Sequence, residues 1–261
     1  MHESDLKRLE EAAKLLEHPR WIAKITNMVG MPIDWAIRSL PKGASSMITK
    51  ATGKAITKAL VVAVSTMDRN YRGKPSTWAH RLAVVTAGGA GGFFGLPGLA
   101  IELPISTAIM LRSIADIARS EGENIENIDA QLACVQVFAL GGSKRIDDAP
   151  ETGYYAVRIA LARALTEAGE FIAERGFVEE GATVIVRLIA RIASRFGVVV
   201  SEKAAAETVP IVGAAGGATI NLLFMNHFQS MARGHFMVRS LERAWGEKVV
   251  KKEYERIAKE L

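Results

Sequence analysis

Glu102 is the one formal charge from Leu82 through Leu111, set between Leu99-Ala-Ile and Leu103-Pro-Ile. A carboxylate in such surroundings must be paired, hydrogen-bonded or protonated. Arg112 and Asp116 follow 10 and 14 positions later. At 3.6 residues per turn, Asp116 returns to within about 40° of the face of Glu102 if a helix continues past Pro104. A second uncharged stretch, Thr208 to Ala232, carries Asn221 and His227, and Arg233 and Arg239 lie just beyond it. Glu102, Arg112, Asp116, Asn221, His227 and Arg239 therefore form the candidate polar set. Two readings stay open: structural ion pairs and helix caps, or a polar pocket serving a small ligand or a hydrolytic reaction.

Other chemistry is excluded residue by residue. Gly88-Gly-Ala-Gly-Gly is followed by no Lys-Ser/Thr, so it is not a nucleotide P-loop, and it lacks the strand-flanked context of a dinucleotide fingerprint. No Gly-x-Ser-x-Gly elbow and no His-Glu-x-x-His helix is present. The single cysteine, Cys134, sits in apolar Leu132-Ala-Cys-Val-Gln-Val-Phe and reads as a small core residue. Five scattered histidines make no metal set, and His227 and His235, eight apart, are too far around a helix to form a compact pair. No metal or cofactor is expected. A net charge of +5, without basic runs interleaved with aromatics, does not point to nucleic acid.

The elements that must carry these residues are helical. Ser4–Leu16 spaces Leu6, Leu9, Ala13 and Leu16 at three- and four-residue intervals, ending near Pro19. Further helices are expected over Ala44–Met67, Ile105–Arg119, Asp129–Leu140, Tyr154–Glu174, Ala182–Phe196, Ile220–Trp245 and Lys248–Lys259. Asn70–Ser76 and Gly141–Gly153 read as loops. Val198–Val200 is too short to indicate a strand. The fold class is all-α: a multi-helix bundle in a single domain over 1–261, with an N-terminal helix at 4–17 and a C-terminal helix at 248–259.

Two basic stripes recur at i, i+4, i+8: Lys50, Lys54 and Lys58, and Arg187, Arg191 and Arg195. Each is followed by a glycine-rich apolar segment, Leu82–Ile101 or Thr208–Ala232, and then by Met110-Leu-Arg-Ser-Ile or Met237-Val-Arg-Ser-Leu. This order suggests an internal duplication with halves 44–140 and 154–245. Gly88/Gly92, Gly91/Gly95 and Gly213/Gly217 have the four-residue spacing that lets helix backbones approach closely. Each glycine costs on the order of 1 kcal/mol of helix propensity against alanine, so a packing reason is expected. The segments read as two glycine-rich hydrophobic hairpins, buried in a soluble core, resting against a bilayer, or crossing it. Burial of Phe93, Phe94, Leu96, Leu223 and Phe224 would argue core, and exposure would argue membrane or partner. The stripes are either solvated faces or contacts to lipid head groups.

Gly92-Phe-Phe-Gly-Leu-Pro-Gly, Glu102-Leu-Pro and Met110-Leu-Arg-Ser-Ile-Ala-Asp-Ile-Ala together resemble the EcsC family of bacterial proteins. So does Val209-Pro-Ile-Val-Gly-Ala-Ala-Gly-Gly-Ala-Thr-Ile-Asn221 leading to Phe236-Met-Val-Arg-Ser-Leu-Glu242. The resemblance implies no established catalytic residue, cofactor or substrate. The family takes its name from a member encoded beside the subunits of an ABC transport system, and some members carry a loose peptidase label that no constellation here supports. The resulting expectation is a cytoplasmic accessory protein, peripheral at the inner membrane, that presents its stripes to anionic lipid or a membrane transport complex. The alternatives are a soluble small-ligand binder or hydrolase, and a scaffold or homo-oligomer that covers its apolar segments with a partner.

Overall fold

The computed structural model describes residues 1–18, 21–30, 32–66, 95–142, 153–176, 182–208 and 213–261. These form α1 (Glu3–Glu17), α2 (Trp21–Val29), α3 (Ile33–Arg38), α4 (Ala44–Thr66), α5 (Gly95–Ser120) and α6 (Ile128–Gln136), which runs into a 3-10 turn at Val137–Ala139. They continue with α7 (Tyr154–Arg175), α8 (Thr183–Glu207), α9 (Gly213–Trp245) and α10 (Glu247–Glu260). No strand occurs among the described residues, and Val198–Val200 lies inside α8. The chain is an all-α bundle.

Proline and glycine shape these helices less than their propensities suggest. α5 was expected from Ile105; it begins ten residues earlier, at Gly95. Pro97 falls in its first turn, where a missing N–H breaks no intrahelical bond. Pro104 is interior and removes one bond, yet the helix continues because its flank packs along α4 and α9. Similarly, Gly213, Gly216 and Gly217 open the 33-residue α9 rather than forming a hairpin tip. The segment expected to turn in the first hairpin, with Gly88, Gly92, Phe93 and Phe94, lies outside the described residues, as do the stretch 70–76 expected as a loop, most of the expected 141–153 loop and the side chain of Leu96. Leu223 packs against the core and Phe224 is fully buried within it.

The core runs continuously from Leu9 in α1 to Ile257 in α10. Its centre is an aromatic group in which Phe138, Phe196, Phe224 and Phe228 lie with ring centroids 5.1–6.0 Å apart. Tilted and edge-on contacts of this kind add about 0.5–1.5 kcal/mol per pair beyond burial. Among the helical glycines described, the closest approach of another helix is at Gly234, which belongs to neither cluster expected from the sequence. A Cβ on Gly234 in α9 would stand 2.7 Å from Leu16 Cγ and 3.1 Å from the Ala12 carbonyl oxygen of α1. The two halves also pack differently. α4 lies along α5, whereas α8 packs chiefly against α4 and α7 and only lightly against α9.

Candidate functional site

The buried charge at Glu102 is met by α8. Lys203 Nζ donates to Glu102 Oε2 at 2.7 Å and lies 2.9 Å from Glu207 Oε1, with the lysine side chain fully buried. Burial works against the ammonium, but the Glu207 and Glu102 carboxylates outweigh it and hold the lysine pKa above its ordinary value. Desolvation raises Glu207, against the pull of Lys203. Two carboxylates thus share one ammonium, and Glu102 Oε1 has no hydrogen-bond partner among the described residues. Lys203 Nζ also lies 5.6 Å from the ring of Phe224, and Trp21 packs on that same ring while its indole N–H donates to Glu202 Oε2 at 3.0 Å.

The other candidate residues disperse among separate partners. Asp116 accepts from Arg119 at 2.8 Å. Arg239 grips Glu123 with two hydrogen bonds of 2.7 and 3.3 Å, and Arg243 joins the same carboxylate. These arginines outweigh the desolvation of Glu123 and hold its carboxyl below the usual range. Arg112 is exposed. Asn221 is buried, and neither its amide nitrogen nor its oxygen has a hydrogen-bond partner among the described residues. His227 packs at a tilt against Trp21 and edge-on against Phe228. Burial lowers its pKa to about 3, so it is neutral at physiological pH. It also explains a glycine: Gly141 adopts φ +71°, and a Cβ there would stand 2.6 Å from His227 Cε1.

A second polar cluster carries no trace in the sequence reading. Tyr154 and Tyr155, at the start of α7, meet His235 and Glu242 of α9 and Tyr254 of α10. The Tyr154 hydroxyl lies 2.8 Å from His235 Nδ1, Tyr155 donates to Glu242 at 2.8 Å, and Tyr254 donates to Glu17 at 2.8 Å. Arg158 completes it by pairing with Glu242 at 2.6 Å and lying over both tyrosine rings. The paired tyrosines after Gly153 were the available signal.

The basic stripes have different settings. Lys50, Lys54 and Lys58 are exposed on α4 and make no ion pair among the described residues. Arg187 instead pairs with Glu167 of α7 at 3.0 Å, Arg191 donates to the Ala160 carbonyl at 3.0 Å, and Arg195 is half-buried, with its pKa lowered by desolvation. Next to α4, the apolar helix α5 leaves Ile101 72% and Ile105 51% exposed. The Gly98–Ser120 part of α5 is long and apolar enough to cross a membrane, but 61% of its most apolar window is buried in the protein. Among the described residues, no group of three or more His, Cys, Asp or Glu side chains is placed to hold a metal.

Comparison with curated proteins and with solved structures returns no match. The model of the EcsC protein family matches residues 3–241, nearly the whole chain including Glu102, Lys203, Asn221 and the Arg239–Glu123 pair. The chain belongs to the EcsC protein family.

Proposed function

We propose that this chain is an accessory protein that associates peripherally with an anionic membrane surface or a membrane complex, through the face formed by α4 and α5. The observation that carries the reading is the pairing, on two neighbouring helices, of three exposed lysines that make no ion pair among the described residues and two exposed isoleucines, Ile101 and Ile105. Each lysine near an anionic surface contributes about 1 kcal/mol. Moving an exposed isoleucine out of water adds up to roughly 1.5–3 kcal/mol. Contributions of this size support reversible, salt-sensitive association. The burial of most of α5 supports a peripheral attachment over a crossing.

Co-sedimentation with vesicles tests the proposal. The protein is expected to pellet with vesicles rich in phosphatidylglycerol and not with pure phosphatidylcholine. Raised salt, the triple variant K50Q/K54Q/K58Q, or I101S/I105S should each release it. A protein that stays in the supernatant at low salt with the anionic vesicles contradicts the reading.

A further inference from the structure

Between α7 and α8, Arg163, Arg187 and Arg191 converge with Glu167 on a surface cavity of about 170 Å³. Glu167 bridges two of the arginines, accepting from Arg163 Nε at 2.6 Å and from Arg187 at 3.0 Å. Arg191 is held by the backbone carbonyl of Ala160 at 3.0 Å. The three guanidiniums are therefore fixed by contacts that use only a few of their N–H groups. Each guanidinium has five donors in a planar fork, so most are unused among the described contacts of these cavity-lining arginines. Among the described lining residues, three positive charges against one carboxylate leave a local excess of two.

We infer that this groove is an oxyanion site that takes a phosphate group, most favourably a dianionic phosphate monoester. Guanidinium forks match the oxygens of phosphate two at a time, and a doubly charged phosphate neutralises the excess. Sequence-adjacent apolar side chains, Ile159 beside Ala160 and Val186 beside Arg187, are 56% and 49% exposed. An organic substituent on the phosphate has apolar surface available on the same two helices. The groove uses none of the α4 and α5 residues invoked for membrane association, so the inference does not depend on that reading.

Calorimetry of the full chain with inorganic phosphate, and vesicle binding with phosphatidic acid in phosphatidylcholine, test the site from its two sources. Saturable binding of inorganic phosphate supports a soluble phosphate ligand. Binding confined to the phosphatidic acid vesicles, and lost in R187Q/R191Q, supports a lipid headgroup. In either arm R187Q/R191Q should weaken binding at least about ten-fold. R163Q, which alters a largely exposed side chain and leaves the helix packing intact, should weaken it several-fold. K50Q/K54Q/K58Q should leave inorganic phosphate binding unchanged even where it abolishes attachment to phosphatidylglycerol vesicles. The inference is overturned if neither probe binds, or if R187Q/R191Q and R163Q, still folded by circular dichroism, bind as the parent does.

Discussion

Lys203 Nζ stands 2.7 Å from Glu102 Oε2, an ion pair between α8 and α5 with side chains 0% and 4% exposed. Removing one partner of such a pair strands a charge in the interior, which costs about 3–5 kcal/mol. K203M should therefore lower the urea midpoint strongly, since it leaves Glu102 and Glu207 facing each other. E102Q keeps the shape and leaves Glu207 to pair with the lysine, so it should lose only about 1–3 kcal/mol. The triple variant K203M/E102L/E207L, which removes every charge of the cluster, should recover most of the loss. If K203M melts like the parent, the cluster is not the buried network described.

Glu102 itself was legible because it is a lone charge in an apolar run. Its partner was not. Lys203 is 101 positions away, in a Ser201-Glu-Lys sequence of the kind that normally marks a solvated helix face. Pairing across that distance is set by how α8 crosses α5, which no local periodicity encodes. The same limit applies to α2 and α3, whose nine and six residues are too short for a periodic pattern to emerge after Pro19. The longer helices were readable, and their ends moved outward wherever proline or glycine sat in a first turn.

Gly234 and Gly53 make a controlled pair for the glycine argument. Both are helical, but a Cβ at Gly53 meets nothing within 4 Å, whereas one at Gly234 meets Leu16 at 2.7 Å and backbone at 3.1 Å. G53A should stabilise by about 0.5–1 kcal/mol through helix propensity alone. G234A gains the same propensity but must push α1 away from α9, an overpacking penalty of roughly 1–3 kcal/mol. Melting temperatures should thus move in opposite directions. A rise in both would mean that α1 yields without cost.

Two buried histidines make the fold acid-sensitive. Burial lowers His227 to about 3. His235 is pushed well below its ordinary value first by burial and then by Arg239 and Arg158. In the unfolded chain both bind a proton near pH 6.5, so below that pH the unfolded state holds more protons than the native one. Stability should fall as pH drops from 6.5 towards 4, by up to about 1.4 kcal/mol per pH unit for each histidine. H227Q removes one of these contributions. Urea midpoints measured across this range should fall less steeply in H227Q than in the parent, whatever its stability at neutral pH. Parallel slopes would place His227 in contact with water.

Glu17 ties three helices together at one carboxylate. Its Oε1 accepts from the Tyr254 hydroxyl of α10 at 2.8 Å and from the backbone N–H of Tyr154, at the start of α7, at 3.0 Å. Hydrogen bonds to a charged acceptor contribute about 1.5–3 kcal/mol when one partner is lost. Y254F deletes one of them, while the carboxylate keeps the α7 amide. E17A deletes both and leaves the first N–H of α7 without its acceptor. E17A should therefore destabilise by more than Y254F, and the double variant by little beyond E17A alone, because Tyr254 acts through Glu17. Full additivity in that double-mutant cycle would show that the Tyr254 hydroxyl acts independently of Glu17.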